Sequence, residues 1–157
     1  MQSHYFEHFM EGLCDAQGVK LSDCFANSFC LSADVSNAFD PNWPETCDKR
    51  NNSQLNYGVA ICKYTGSRGK GGASDASAEA MGHVRSTLDK AGVIWQIATL
   101  GKVDQGGGGT VAAYMANRNI VTVDAGVPVL SMHAPLELVS KLDCYETMLA
   151  CKAIYLA

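Results

Sequence analysis

The sequence predicts an α/β domain in which helices flank a mixed β-sheet. The composition, with 47% hydrophobic and 18% charged residues over 157 positions, is that of a globular domain with a real core. Short apolar runs of strand length alternate along the chain with segments whose apolar residues recur every three or four positions. Repeats, low-complexity linkers and composition breaks are all missing from the sequence. We therefore expect one domain over residues 1–157.

The first predicted element is an amphipathic helix that starts near Ser3 and ends at Gly18. Its apolar positions follow the helical spacing: Phe6, Phe9, Met10, Leu13 and Cys14. His4 and His8 fall one turn apart, a spacing that suits metal binding, but Glu7 and Glu11 flank them. We expect both histidines to face solvent or a partner rather than a metal.

A strand over residues 28–33, a polar surface loop over 41–56 and a second strand over 57–64 follow. The next stretch, 65–72, is rich in glycine. Its spacing does not match the Gly-x4-Gly-Lys-Ser/Thr phosphate loop, because Gly71 follows Lys70. We therefore reject a nucleotide site there.

The second half of the sequence continues the alternation of helices and strands. Ser74 or Asp75 is expected to cap a helix that Gly92 ends, with His83 in a structural position beside its apolar face. The later predicted elements are a strand over 93–100, a helix over 111–116, strands over 120–124 and 127–132, and a helix from 142 to the C-terminus.

Four glycines, residues 106–109, precede the predicted helix at 111–116. Backbone N–H groups in such a segment can face an anion or a developing oxyanion. A flexible connection has the same composition, so the sequence leaves both interpretations open.

Two polar side chains stand where strand-like apolar runs end. One run leads into Asp34, and the run from Gly126 leads into His133. In open α/β sheets ligands bind beyond the carboxyl ends of strands, so these two side chains are expected to converge. Carboxylates and neutral imidazoles both bind metal. Taken singly, His133 is more typical of a structural histidine and Asp34 of a turn residue, so the prediction depends on the pair.

Charge and cysteine content exclude several classes of function. The net charge of −4 with scattered Lys and Arg gives no basic footprint for nucleic acid or an anionic membrane. The sequence shows neither a signal-peptide pattern nor an apolar run of membrane-spanning length. Its seven cysteines contain no Cys-x-x-Cys pair, which indicates reduced, buried thiols in a cytoplasmic protein. No segment singles out a cysteine nucleophile, although a catalytic Cys-His pair stays open.

The chain resembles the M18 family of zinc aminopeptidases, in its aminopeptidase I branch. The matching stretches occur in family order along essentially the whole chain: residues 32–34, 63–70, 74–76, 101–110, 126–135 and 141–143. The resemblance implies a partial zinc-peptidase (phosphorylase/hydrolase-like) α/β/α domain.

The resemblance also implies roles for individual residues. Asp34 and His133 correspond to ligands of a two-zinc centre, and Lys63 corresponds to a lysine that holds substrate in the specificity pocket. The glycine stretch, with Gly107, Gly108 and Thr110, corresponds to the loop that lines the cleft near the scissile peptide. The aspartyl branch has a histidine where this chain has Asn37, so a neutral or apolar N-terminal residue of the peptide is expected to bind here.

Family members are longer and carry further motifs upstream: a histidine, a bridging aspartate and a Glu-Glu pair that supplies the general base. The resemblance therefore implies that this chain is the C-terminal part of the catalytic domain, without the N-terminal catalytic part and the inserted dimerisation domain. It places the general base upstream of Met1, so no catalytic residue is expected within the chain. Two ligands without a base predict no hydrolysis by this polypeptide alone. An open sheet edge and uncovered apolar surface predict homo-oligomers or association with the missing half.

Three functions follow from these observations. The first is a fragment of a metalloaminopeptidase that acts on peptides. The second is a non-catalytic assembly or binding module derived from that fold. The third is a different metal-dependent hydrolase that uses His4, His8 and His133 together, which requires the first helix to approach the loop of His133.

Overall fold

The computed structural model describes residues 3–66, 74–102, 104–105 and 107–157. The helices are α1 (Tyr5–Ala16), α2 (Leu21–Ala26), α3 (Ala78–Ala91), α4 (Ala112–Ala116) and α5 (Lys141–Tyr155). The strands are β1 (Phe29–Ser32), β2 (Ser36–Asn37), β3 (Val59–Cys62), β4 (Trp95–Ala98), β5 (Val121–Gly126), β6 (Pro128–Leu130) and β7 (Leu138–Val139). A short 3-10 turn covers Pro44–Thr46.

The predicted mixed sheet is confirmed and has four strands in the order β1-β5-β3-β4. The β1–β5 and β3–β4 pairs are parallel, whereas β3 and β5 run antiparallel. A second sheet, in the order β2-β6-β7, was not predicted. Two of its strands have only two residues, which is too short for a hydrophobic period to show in the sequence.

One pair of parallel segments links the two sheets. The chain passes from β1 into β2 through residues 33–35, and from β5 into β6 through Val127. The backbone N–H of Ser36 donates to the Val127 carbonyl at 2.9 Å, so the two segments stay neighbours across the break. Asp34 therefore lies in the connection between β1 of the main sheet and β2 of the second sheet.

The two faces of the main sheet differ in chemistry. Val59 and Ile61 of β3 and Val123 of β5 pack with Val84 and Leu88 of α3 in the main apolar core, which α5 also covers. Because side chains alternate along a strand, the other face carries small or polar residues and packs partly against α4. These are Ser32, Ala60, Cys62, Ala98 and Asp124.

The predicted first helix is present as α1, and Gly18 ends it. Gly18 adopts a left-handed φ of 66°, and the N–H of Val19 bonds to the carbonyl of Cys14, which closes a Schellman motif. The apolar face of this helix is only partly buried. Cys14 is buried, but Phe9 is 54% exposed and Leu13 43% exposed.

The cap of α3 differs from the predicted one. Ser77, rather than Ser74 or Asp75, accepts the N–H of Ala80 and caps the helix, while Gly92 ends it with φ of 69° as expected. Ser74 and Asp75 precede the helix in an extended segment that forms an isolated bridge with Tyr64. His83 is exposed on α3, with its ring edge-on to Phe29.

Buried carboxylates tie α5 to two loops of the sheet. Asp143, which is 0% exposed, accepts the N–H groups of Asn56 and Gly58 at 2.8 Å each. Glu146 accepts the N–H of Ile94 at 2.9 Å. Gly58 has a φ of 83°, and a Cβ there would lie 2.0 Å from the Ile94 carbonyl oxygen, so only glycine fits.

All seven cysteines fall within the described ranges and carry free thiols. Cys14, Cys47 and Cys62 are buried as expected, but Cys144 is exposed on α5, so the prediction of buried thiols is wrong for that residue. Over the ranges described, none of the helices combines the length and apolar character needed to cross a bilayer.

Candidate functional site

A cleft of about 320 Å³ lies where the two sheets meet. It brings together six of the seven residues that the sequence singled out: Asp34, Asn37, Gly107, Gly108, Thr110 and His133. The rest of its lining is mostly apolar or glycine: Val35, Leu100, Gly101, Gly109 and Met132. Residues far apart in the sequence therefore share one concave surface, which is typical of a binding site.

Asp34 is held by a close contact of its own backbone. A Cβ on Gly126 would lie 1.7 Å from the Asp34 carbonyl oxygen, so the two segments pack this tightly only because residue 126 is glycine. The carboxylate Oδ1 of Asp34 accepts the N–H of Val35 at 2.9 Å. The side chain lies at the edge of the cleft.

His133 lies in a tight loop that follows β6. Ser131 and His133 both have left-handed backbone angles, with φ of 58° and 68°. Such a conformation costs a residue other than glycine about 1–2 kcal/mol, and it persists where the surroundings hold it. Here the N–H of His133 donates to Glu137 Oε1, and the N–H of Ala134 donates to the Ser131 carbonyl. Backbone strain of this kind is concentrated at functional sites.

A carboxylate and an imidazole fit zinc by donor type, but two donors do not complete a site. A catalytic zinc takes three protein ligands. Within the described part of the chain, no group of three His, Cys, Asp or Glu side chains comes together. Asp34 and His133 alone therefore do not complete a zinc site among the described residues, and no reaction step through a metal follows from them.

The structure does not test the predicted position of the general base. The resemblance places that base upstream of Met1, and Met1 and Gln2 themselves lie outside the described part of the chain. Among the described residues that line the cleft, Asp34 supplies the carboxylate, and it is a candidate metal ligand rather than a base. The expectation that this chain holds no catalytic residue therefore stays a prediction.

The structure does not support the site built from three histidines. His4 Nδ1 lies 2.9 Å from Glu7 Oε2 and its side chain is exposed. His8 is exposed on α1, and neither histidine is among the described residues that line the cleft. The exposure of both histidines agrees with the expectation that they face solvent or a partner.

The glycine segment (residues 107–109) is fixed by direct backbone contacts. The N–H of Gly66 donates to the Gly108 carbonyl at 2.8 Å. Gly107 has a φ of 87°, and a Cβ there would lie 2.4 Å from the Gly66 carbonyl oxygen. These contacts favour a shaped wall over a flexible connection. The N–H of Ala112 donates to Thr110 Oγ1, so this amide is already used within the protein.

Asn37 enters the cleft from β2 with its side chain held in place. Its Nδ2 donates to Cys47 Sγ at 3.2 Å, and its backbone carbonyl accepts the Ser53 hydroxyl at 2.9 Å. Cys47 and Ser53 are both buried. The position therefore presents a neutral amide with a fixed orientation.

Lys63 is the predicted residue that the structure does not bring to the cleft. It follows β3 at the surface, and its Nζ forms an ion pair with Asp75. Among the described residues, the cleft lining does not include it. Other residues of the motifs, Ser67 to Lys70, Val103 and Gly106, lie outside the described part of the chain, and so do residues 67–72 of the rejected phosphate loop.

Sequence reasoning missed Asp124, which is 5% exposed on β5. Its Oδ2 accepts the Thr110 hydroxyl at 2.7 Å. The pKa of this carboxyl is raised above its ordinary value, mainly by burial and further by the negative charge of Asp34, whereas the hydrogen bond from Thr110 lowers it. The alternation of apolar and polar residues over 121–125 placed Asp124 with Thr122 on one face, and that signal could have singled it out.

Residues 1–155 match the family profile described as aminopeptidase I zinc metalloprotease (M18). A probable M18 family aminopeptidase 1 of Clostridium acetobutylicum is 50% identical over 151 residues, which are 94% of this chain and 32% of that relative.

Two solved structures extend the similarity to the fold. An M18 family aminopeptidase from Thermotoga maritima superposes with a TM-score of 0.92 at 41% identity, covering 98% of this chain and 35% of that one. Aminopeptidase I from Clostridium acetobutylicum gives a TM-score of 0.88 at 47% identity, covering 97% and 33%. The chain thus spans about a third of the length of these relatives.

Proposed function

Because the chain belongs to the M18 family of aminopeptidases, we propose that it is the C-terminal portion of a zinc-dependent catalytic domain that removes N-terminal residues from peptides. The observation that carries this proposal is the shared cleft of Asp34 and His133, which come from two different sheet-edge loops. The N-terminal catalytic part and the inserted dimerisation domain of the family belong to the two thirds that this sequence does not match.

Asp34 and His133 are the proposed ligands that this chain contributes to a two-zinc centre. When bound, zinc polarises a carbonyl and supplies a nucleophilic water at neutral pH. The role of the chain's own residues is to hold the two proposed ligands in position. The tight contact at Gly126 fixes the Asp34 loop, and the strained loop after β6 fixes His133. The resemblance assigns the general base to a residue upstream of Met1.

A neutral or apolar N-terminal residue is the proposed substrate class. Asn37 offers an uncharged amide, and Leu100 and Met132 add apolar surface beside it. The glycine segment, with Thr110, forms the part of the cleft lining along which a peptide backbone would lie. Lys63 has its charge paired by Asp75, so its proposed contact with substrate requires that ion pair to open.

A cytoplasmic location and a homo-oligomeric assembly complete the proposal. The free thiols are those of a reducing compartment. Apolar side chains stay exposed on two helices, with Phe9 and Leu13 on α1 and Tyr145 and Met148 on α5. Exposed apolar surface of this kind marks contacts with other chains.

Zinc binding by the 157-residue chain tests the proposed ligands. We expect weak binding by titration calorimetry, lost in both Asp34→Ala and His133→Ala and retained in His83→Ala, which removes an exposed histidine from α3. Binding that survives His133→Ala but disappears in His83→Ala would contradict the assignment.

Activity of the same polypeptide tests whether the ligand set is complete. With two of at least three ligands, the chain alone is expected to hydrolyse no aminoacyl-arylamide. Turnover that a chelator abolishes would show that the described residues already suffice for catalysis.

The second candidate is a non-catalytic assembly or binding module derived from this fold. The incomplete ligand set of the described residues favours it. In that case the double variant Asp34→Ala, His133→Ala would associate with other chains as the unaltered chain does. The unaltered chain would also melt at the same temperature with and without added zinc.

A further inference from the structure

Asp124 occupies the middle of the main sheet. In the strand register it lies opposite Ser32, the last residue of β1, and opposite Cys62, the last residue of β3. Its side chain points to the face that carries small and polar residues, away from the apolar core. A carboxylate in this position is surrounded by protein on both sides of its strand.

One hydroxyl connects this carboxylate to the cleft wall. Thr110 donates its hydroxyl hydrogen to Asp124 Oδ2 at 2.7 Å, and Thr110 Oγ1 accepts the N–H of Ala112 at 3.3 Å. The hydroxyl of Thr65 lies 3.4 Å from the same Thr110 oxygen. Thr110 therefore uses its hydroxyl within the protein, at the end of the glycine segment.

The other end of the glycine segment rests on the chain just after Thr65. Gly66 donates its N–H to the Gly108 carbonyl at 2.8 Å. The segment is thus held at two points, one through its backbone and one through the contact between Thr110 and Asp124. The segment lines the same cleft as Asp34 and His133.

Burial of the Asp124 carboxylate costs desolvation free energy, which is unusual for a residue with only a structural role. A carboxylate that leaves water loses solvation, and protein contacts must compensate for it. Here Oδ1 of Asp124 and the hydroxyl of Ser32 are both buried without a hydrogen-bond partner among the described residues. Residues that break local rules of stability are expected at functional sites.

We propose that Asp124 is a positioning residue of the cleft: its carboxylate holds the Thr110 hydroxyl and thereby fixes the glycine segment beside Asp34. The proposal gives Thr110 the role of an anchor rather than of a side-chain contact with substrate. Its functional meaning rests on the proposed peptidase cleft, but the contact itself does not depend on metal.

Amide hydrogen exchange of the 157-residue chain, followed by NMR, tests the anchor. The Gly66 amide reports on the glycine segment because it donates to Gly108. In Thr110→Val, which keeps the shape but removes both the donor to Asp124 and the acceptor for the Ala112 N–H, we expect exchange at Gly66 to accelerate about tenfold, as the loss of hydrogen bonding allows. Thr110→Ser restores the hydroxyl and should bring exchange back to within about twofold of the original rate.

Amides of the sheet interior separate a local effect from unfolding. Ile61 and Ala125 lie in the buried pairing of β3 with β5, and their exchange should stay unchanged in the threonine variants. Asp124→Asn, which keeps an acceptor for Thr110, should leave Gly66 protected. Unchanged exchange at Gly66 in Thr110→Val, or failure of Thr110→Ser to restore it, would overturn the proposal. Zinc binding that persists alongside that outcome would leave the proposed function intact.

Discussion

At the scale of single residues, the absence of one side chain determines where a candidate ligand lies. Gly126 faces the Asp34 carbonyl so closely that a Cβ would overlap it, at 1.7 Å. Backbone atoms provide that contact, so no side-chain rotation can relieve a clash. The position of Asp34 thus depends on a residue that carries no functional group.

Gly126→Ala should push the Asp34 loop away from β5 and destabilise the chain by about 1–3 kcal/mol, as overpacking does in other interiors. Urea denaturation measures the change. Gly82→Ala is the matched control, since a Cβ at that position of α3 meets nothing within 4 Å. Alanine favours helix over glycine, so the control should gain about 0.5–1 kcal/mol. Equal effects of the two substitutions would contradict the close contact.

The thiols should differ sharply in reactivity. Burial raises the pKa of Cys62 to about 11, whereas Cys144 is exposed on α5. Since the thiolate is the reactive form, iodoacetamide at about pH 8 should label Cys144 and spare Cys62 in the folded chain. Mass spectrometry of the tryptic peptides gives the extent of labelling, and equal labelling of both cysteines would show that Cys62 is accessible.

The same pKa shift predicts a loss of stability in alkali. The thiol of Cys62 ionises at lower pH in the unfolded chain, where its pKa has the ordinary value of 9.0, than in the folded chain. The free energy of unfolding should therefore be unaffected by this group below about pH 9 and decrease from there toward about pH 11. Cys62→Ala should flatten this part of the curve, measured by urea denaturation at each pH.

The position of a polar residue at the end of a strand predicted the candidate site better than the type of its side chain did. Asp34 and His133 were recognisable because each ends an apolar run, and strand ends meet at a sheet edge. Asp124 carries a carboxylate just as Asp34 does, but it lies inside a strand, where its neighbours decide its role. Its partner Thr110 depends on how a loop folds back, which no periodicity in the sequence encodes.

At the scale of elements, α5 owes its position to buried carboxylates as much as to apolar contacts. Asp143 accepts two backbone N–H groups from the loop before β3, and Glu146 accepts one from the loop before β4. These bonds satisfy loop amides that the sheet leaves unpaired. The helix α5 therefore covers the core and also fixes the loops before β3 and β4.

Asp143→Ala should destabilise the chain by about 2–4 kcal/mol, because the amides of Asn56 and Gly58 would be buried without an acceptor. Thermal unfolding followed by circular dichroism would show the loss. Glu11→Gln, at an exposed carboxylate of α1, is the control and should shift the melting temperature little. A neutral effect of Asp143→Ala would mean that other acceptors replace the carboxylate.

The long helices were predictable from the sequence. The helices α1, α3 and α5 have twelve or more residues, and Gly18 and Gly92 correctly marked the ends of the first two. The six-residue α2 was missed, although its Phe25 is buried and stacks on Phe6 at 5.8 Å. Tertiary contacts form β2 and β7, so their two residues each carry no local signal.

At the scale of the whole molecule, the exposed apolar face of α1 predicts self-association. Tyr5, Phe9 and Leu13 are spaced by one turn and are all exposed. The sedimentation coefficient should therefore rise with concentration. Phe9→Lys should shift the chain toward the monomer, whereas Glu11→Lys, which adds the same side chain on the same helix, should not. A monomer at all concentrations would contradict this use of the surface.

The order of strands in the main sheet has a consequence for how the chain folds. Phe29 of β1 pairs with Val121 of β5, and β5 also separates β1 from β3. Of the four strands, β1 comes first in the chain, but it can join the sheet only after β5, the last of the four, has been synthesised. Pairing over so long a stretch of chain is slow, because the entropy of loop closure is lost before the contacts form. We expect Asp34 and the glycine segment to reach their positions only after the sheet has formed. The cleft should therefore be among the last parts of the chain to form during folding.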